Sequence, residues 1–348
     1  MKALTYQGSR QVAYDTVPDP QILTDLDVIV KVCLTAICGS DLHVYNGRET
    51  GLDQGTVMGH EFIGTIVDCG RGVSNFQKGD KVFSPFFSAC GGCFYCENDL
   101  SCRCENGHLF GWVEKGVGLH GAQSEYVRVP LADSTLYKIP GDITDEEALL
   151  LCDILPTGYF CADMARPKIG EVMAVVGCGP VGLLAITALL EKGVEKVFAV
   201  DMVNERLEHA QKFGAIPVNA NSEVAIATIL EATKGRGVDA VLEAVGSPSA
   251  QNLAYKLVRP GGVISVVGVH SEKNFSFTPM DLYNKNLTYS TGRCPVQHYV
   301  PALLPLVRSG KYDFTSIISH RVDLAEGVGA YAMFNERRPG CTKIVMIP

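Results

Sequence analysis

Val172-Met-Ala-Val-Val-Gly-Cys-Gly-Pro-Val-Gly-Leu-Leu-Ala-Ile-Thr-Ala-Leu-Leu190 is the stretch on which the reading of the fold turns. It carries no charge and approaches the length of a membrane span. Its middle, however, breaks a β-branched run from a helical run with three glycines, and Glu171 and Glu191 bound it. A buried strand, a tight turn and a buried helix account for it better than a bilayer span. Gly177, Gly179 and Gly182 form G-x-G-x-x-G at the turn. The first glycine permits the turn, the second lets a pyrophosphate approach the backbone, and the third lets helix pack closely on strand. The next apolar run, Lys196 to Val200, ends in Asp201, 19 residues past Gly182, where a carboxylate binds ribose hydroxyls. That charge repels a 2′-phosphate and favours NAD over NADP. Arg206, five residues further on, is the residue able to accept such a phosphate, or else a solvated helix residue.

Around this unit, apolar strands alternate with helical patterns. A helix is expected over Arg206 to Phe213, with further buried strands at Val238 to Leu242 and Val263 to Val267. Such alternation predicts a doubly wound parallel sheet over residues 151–290. Residues 1–150 differ in texture. Short alternating runs such as Val28-Ile-Val-Lys-Val32, punctuated by Gly and Pro, predict a mostly β domain with long loops. Residues 291–348 end in the strand-like Lys343-Ile-Val-Met-Ile347 and are expected to complete it. The fold class is therefore α/β.

The 348 residues are 47% apolar and 20% charged, with net charge −8, the balance of an ordinary globular protein. The acidic balance and the lack of basic runs exclude nucleic acid and anionic membranes as expected partners. Five of the 13 cysteines (Cys90, Cys93, Cys96, Cys102 and Cys104) fall in one short segment. A disulfide framework belongs to short secreted chains. Here Met1 leads straight into strand-like sequence, so a cytoplasmic protein with reduced or metal-bound thiols is expected.

Cys90-x2-Cys93-x2-Cys96-x7-Cys104 offers four thiolates at the close spacing that a tetrahedral, structural zinc needs. Cys102 competes with Cys104 for the fourth place, and an iron–sulfur cluster is the less favoured occupant. Two further segments, Cys38-Gly-Ser-Asp-Leu-His43 and Gly59-His-Glu-Phe-Ile-Gly64, pair metal-binding side chains with acids. Either one alone reads equally as a buried small hydrophobe or a structural histidine.

Gly59-His-Glu-x2-Gly64-x5-Gly70-x2-Val73, followed by Gly79-Asp80, resembles the zinc signature of the medium-chain dehydrogenase/reductase (alcohol dehydrogenase) family. The cysteine loop and glycine turn stand in the order that family shows. The resemblance implies a GroES-like β-rich catalytic domain beside a Rossmann domain, two zinc ions per chain and NAD. It implies catalytic zinc on Cys38, His60 and a third ligand four residues before Thr157, which is Asp153, with adjacent Cys152 as its rival. An Asp there is similar to the branch of glutathione-independent formaldehyde dehydrogenases. Glu61 is implied as the acid near the metal and Asp41 as the partner that fixes the His60 tautomer.

The implied chemistry is an open zinc position that acidifies the substrate hydroxyl, with hydride passing to the nicotinamide. Ser40 takes the proton first and His43 releases it to solvent, the alternative for His43 being a surface imidazole on a loop. Thr157 and Val181 are implied to pack on the nicotinamide ring, and Val267, Gly268 and Val269 to hold its carboxamide. Arg293 is read as lying near the cofactor phosphates or in a structural salt bridge. Phe110 and Trp112 are read as pocket, interface or core residues. The expected function is interconversion of a small alcohol and its aldehyde or ketone, with NADH released between turnovers. A polyol or amino-alcohol dehydrogenase, or a non-catalytic NAD-binding protein, are the alternatives. The resemblance to family members of this length implies a homotetramer in preference to a dimer.

Overall fold

The structure is a computed structural model that describes residues 1–348 apart from Ser222. The chain divides into two compact units: Met1–Asp153 with Pro295–Pro348, and Ile154–Cys294.

The second unit holds a six-stranded, all-parallel sheet. Its strands run, edge to edge, Ile216–Asn219, Lys196–Asp201, Val172–Val176, Val238–Glu243, Val258–Val266 and Thr288–Thr291. Strand order reverses between Val172–Val176 and Val238–Glu243, the point where open α/β sheets bind ligands at their carboxyl ends. Val172–Leu190 resolves into a strand over Val172–Val176 and a helix over Pro180–Glu191. Among the described residues no helix is long and apolar enough to cross a membrane. The helix expected from Arg206 spans Asn204–Lys212. The strand expected from Val263 begins earlier, at Val258, with a register shift opposite Val238–Ala240. Gly261, at φ +70°, supplies the left-handed backbone in that irregular stretch. Val176, Phe198, Val200, Val241, Ile264 and Val266 lie in its apolar core, matching the charge-free runs that strands buried on both faces require.

The first unit is built on a seven-stranded sheet around the long strand Val28–Ile37. Phe62–Cys69, Tyr126–Val129 and Ile344–Ile347 all pair antiparallel with it. The tail pairing runs Ile344 to Ile37 and Met346 to Thr35, so the last strand is built into the first unit. Alternate side chains of Val28–Ile37 fill one core with Val30, Val32, Phe62, Ile66 and Val82. A second core gathers Leu4, Ile37, Met58, Tyr331, Ile344 and Met346. Phe110 and Trp112 belong to this packing. Phe110 is buried edge-on against Phe62, and half-buried Trp112 packs on the second core.

Candidate active site

Three chain segments of the first unit deliver the side chains of the main site. Cys38 follows the end of Val28–Ile37, and the chain then turns into the short helix Asp41–Tyr45, which carries Asp41 and His43. His60 and Glu61 immediately precede the strand Phe62–Cys69. Asp153 lies just past the helix Asp145–Leu150, whose start is fixed by a reciprocal Thr144–Glu147 capping box.

Asp153 Oδ2 stands 3.5 Å from Cys38 Sγ and 3.5 Å from His60 Nε2. Ligands sharing one tetrahedral zinc at its usual bond lengths stand about 3.4–3.8 Å apart. With Glu61 included, one ligand atom from each of the four residues lies within 4.8 Å of the rest. The donor set of thiolate, imidazole and carboxylate suits zinc, and with neutral His60 its two negative charges balance a dication.

Electrostatics point the same way. Burial, reinforced by Asp153, pushes the Cys38 thiol up. Burial disfavours a charged His60 ring, but Asp41, Asp153 and Cys38 outweigh it and lift its pKa well above the ordinary value. These donors hold protons that a metal ion displaces on binding. Cys152, the rival ligand, points elsewhere: its thiol donates to the Phe62 carbonyl at 3.2 Å, and burial raises its pKa strongly.

His60 Nδ1 lies 3.2 Å from Asp41 Oδ1, and Asp41 Oδ2 accepts from the Cys38 amide at 3.0 Å. Asp41 therefore ties two of the candidate ligands to one carboxylate. Ser40 Oγ is 3.4 Å from His60 Nε2. His43 is 8% exposed on the helix Asp41–Tyr45, which overturns its reading as a surface imidazole on a loop. The Phe86 and His60 rings stand nearly perpendicular, with 6.2 Å between centroids.

Lys343 was not singled out in the sequence. It is 1% exposed, and its Nζ meets Glu61 Oε1 at 2.6 Å and the Ile37 carbonyl at 3.2 Å. Burial raises the Glu61 carboxyl, with the Lys343 cation pulling the other way, while Glu61 holds the Lys343 ammonium up against its own desolvation. Glu61 Oε2 has no hydrogen-bond partner.

The second cluster gathers Cys90, Cys93, Cys96 and Cys104. Cys93 Sγ lies 3.6 Å from that of Cys96 and 3.9 Å from that of Cys104, the spacing of sulfurs around one zinc. Cys102 lies outside the group and is buried. Backbone amides, Gly92 first, lower the Cys90 thiol to about 6, whereas burial raises Cys96 to about 12.

In the second unit the glycine turn has the shape a phosphate needs. Gly177 takes φ +93°, a Cβ on Gly179 would meet open space, and one on Gly182 would stand 1.8 Å from the Gly177 carbonyl oxygen. Asp201 is buried at the end of its strand. Its Oδ2 accepts from the Cys178 amide at 2.7 Å and its Oδ1 from the Val203 amide at 2.9 Å. The carboxylate thus orders the glycine turn, a role its sequence position did not announce. Arg206 Nη1 lies 3.8 Å from Asp201, so its charge is directed at that carboxylate.

Thr157 is half-buried on the helix Ile154–Met164, and Val181 is half-buried in the first turn of Pro180–Glu191. Val267 and Gly268 both donate backbone N–H to the Glu243 carbonyl, and Val269 is exposed. Arg293 is exposed. Sequence reasoning also missed Glu243 and His270. Glu243 is fully buried, accepts from the Val245 and Gly246 amides at 2.7 and 2.8 Å, and meets His270 Nε2 at 2.8 Å. This bond raises the His270 pKa, against partial burial and with help from Glu272.

Comparison with known proteins agrees with this architecture. The alcohol dehydrogenase GroES-like domain family matches residues 24–141, and the zinc-binding dehydrogenase family matches residues 180–309. An uncharacterized zinc-type alcohol dehydrogenase-like protein of Bacillus subtilis (strain 168) is 38% identical over 100% of both chains. A glutathione-independent formaldehyde dehydrogenase of the same organism is 30% identical, covering 94% of this chain and 90% of its own. Among solved structures, alcohol dehydrogenase TADH from Thermus sp. ATN1 superimposes with a TM-score of 0.92 at 38% identity, covering 100% of this chain and 99% of that one. Fold and donor clusters define a zinc-type oxidoreductase. The chain belongs to the zinc-dependent medium-chain dehydrogenase/reductase (alcohol dehydrogenase) family.

Proposed function

We propose that this protein is an NAD-linked dehydrogenase that interconverts a small alcohol and its aldehyde or ketone, with zinc held by Cys38, His60 and Asp153. The observation that carries the reading is Asp153 Oδ2 at 3.5 Å from both Cys38 Sγ and His60 Nε2, in a site where Asp41 orients the histidine. When bound, zinc supplies Lewis acidity that makes a hydroxyl acidic near neutral pH, and NAD accepts hydride. The chain's own residues do the rest. Ser40 Oγ, beside His60, receives the alcohol proton, and His43 on the next helical turn passes it on. Phe86, packed beside the ring of the ligand histidine, adds apolar cover there. The second cluster, on Cys90, Cys93, Cys96 and Cys104, takes a structural zinc.

The preference for NAD over NADP is supported by the Asp201 carboxylate at the end of the strand after the glycine turn, whose charge would repel a 2′-phosphate, and by Arg206 being directed toward that carboxylate. Thr157, Val181, Val267 and Val269 are assigned to the nicotinamide end, and Gly177, Gly179 and Gly182 to the pyrophosphate. The protein is read as a cytoplasmic homo-oligomer, a tetramer in preference to a dimer. NADH formation from NAD with short primary alcohols, secondary alcohols and polyols, with and without a zinc chelator, tests the reading. Chelator-sensitive turnover supports it. Protein that holds both zinc ions and binds NAD yet oxidises none of these alcohols overturns the assigned substrate class.

A further inference from the structure

The Asp41 carboxylate that orients His60 is itself held by a second chain of hydrogen bonds. Gln123 is fully buried, and its Nε2 donates to Asp41 Oδ2 at 3.3 Å and to the Ala36 carbonyl at 3.1 Å. Its Oε1 accepts from the Tyr331 hydroxyl at 2.8 Å. The amide orientation is forced. Flipping it would set Oε1 against a carboxylate and a carbonyl, and Nε2 against a hydroxyl that could only accept. Gln123 also lies along the backbone ahead of the ligand histidine, because a Cβ on Gly59 would come within 2.3 Å of Gln123 Cγ.

Tyr331 sits on the C-terminal helix Gly327–Asn335 and is fully buried. Burial holds its phenol pKa well above the ordinary value, so the hydroxyl stays a donor. Its ring packs on Tyr45 at 5.5 Å, and Tyr45 closes the same short helix that carries Asp41. One side chain from the end of the chain therefore touches the Asp41 helix directly and reaches the Asp41 carboxylate through Gln123.

We propose that Tyr331 is a positioning residue for the metal centre, acting through Gln123 and Asp41 to hold the His60 ring in its ligating orientation. Removing the hydroxyl frees the Gln123 amide to rotate, loosens its bond to Asp41, and lets Asp41 and His60 move together. The consequence falls on how firmly the metal is held, before any effect on turnover. Partners of metal ligands change affinity by about 10–100-fold when lost, and a residue one step further out should act more weakly.

The inference rests on the reading of Cys38, His60 and Asp153 as a zinc site, and the test separates the two. The measurement is zinc release from the holoenzyme to excess chelator, with the cysteine-loop zinc as internal control and a Cys38→Ser variant identifying the phase that belongs to the main site. Tyr331→Phe is expected to speed main-site release by about 3- to 10-fold and leave the cysteine-loop phase within about twofold. In a Gln123→Met background the same substitution should have no further effect, because the link is already cut. Main-site release within about twofold of wild type, equal acceleration of both phases, or effects that multiply in the double variant would each overturn the proposal. Wild-type protein without a main-site phase overturns the zinc reading and this inference together.

Discussion

Lys343→Met isolates the buried ion pair beside the candidate metal ligands. Lys343 and Glu61 are 1% and 0% exposed, and their side chains meet at 2.6 Å. Methionine follows the lysine side chain out to Cε and lacks only the ammonium, so the substitution removes the charge and its bond to the Ile37 carbonyl while opening little space. Glu61 is then left buried with Oε2 unpartnered and Oε1 deprived of its cation. Removing one member of such a pair costs about 3–5 kcal/mol, because the remaining charge is uncompensated. For 348 residues unfolding together, at about 2.1 cal/mol/K per residue, this corresponds to a fall in Tm of about 4–7 °C. The diagnostic arm is the double variant Lys343→Met with Glu61→Gln, in which the stranded charge is gone. Replacing a whole buried pair by neutral groups is often nearly neutral, so most of the lost Tm should return. Differential scanning calorimetry of the zinc-loaded protein reads both numbers. If the double variant melts no higher than Lys343→Met alone, the loss comes from packing and the ion-pair argument fails.

Three further outcomes follow from the geometry. Cys38→Ala should lower bound zinc by one ion per chain while Cys152→Ser leaves it unchanged, as atomic absorption would show; loss of zinc in Cys152→Ser would make Cys152 the ligand in place of Asp153. Gly182→Ala puts a methyl 1.8 Å from the Gly177 carbonyl oxygen, so the helix must retreat from the turn, and NADH affinity by fluorescence titration should weaken at least about tenfold. His270 has a folded pKa raised above 6.5 by Glu243, so its stabilisation is fully present below about pH 6.5 and lost as pH rises through the raised value. The Tm advantage of wild type over His270→Gln should therefore shrink from pH 6 to pH 9, and a gap independent of pH would count against the Glu243–His270 bond as its source.

What could be read from the chain and what could not divide along sequence separation. The glycine turn was legible because its three roles fall within six residues, each with a local steric demand: Gly182 cannot carry a Cβ beside the Gly177 carbonyl wherever the rest of the chain goes. The cysteine loop was legible for the same reason, though spacing alone left Cys102 and Cys104 in competition. Only the folded loop, in which Cys104 approaches Cys93 while Cys102 turns inward, separates them. Asp153 needed a family resemblance, because an acid beside a cysteine at the end of a short helix carries no local mark of a ligand.

The supporting groups carried no mark at all. Lys343 opens an apolar run and looks like an ordinary solvated strand end, yet the strand it leads into pairs with Val28–Ile37 and carries it beside Glu61, 282 residues away. Tyr331 and Gln123 meet across 208 residues, and a tyrosine on a late helix is far more often core than part of a hydrogen-bond chain. Asp201 shows the converse: its spacing from the glycines pointed to the cofactor, and its bond to the Cys178 amide shows the same carboxylate shaping the turn itself. The cysteine loop and the glycine turn obey local spacing because one short segment supplies all of their groups. The groups that hold ligand residues in place obey only the fold, and they become visible when distant strands have been paired.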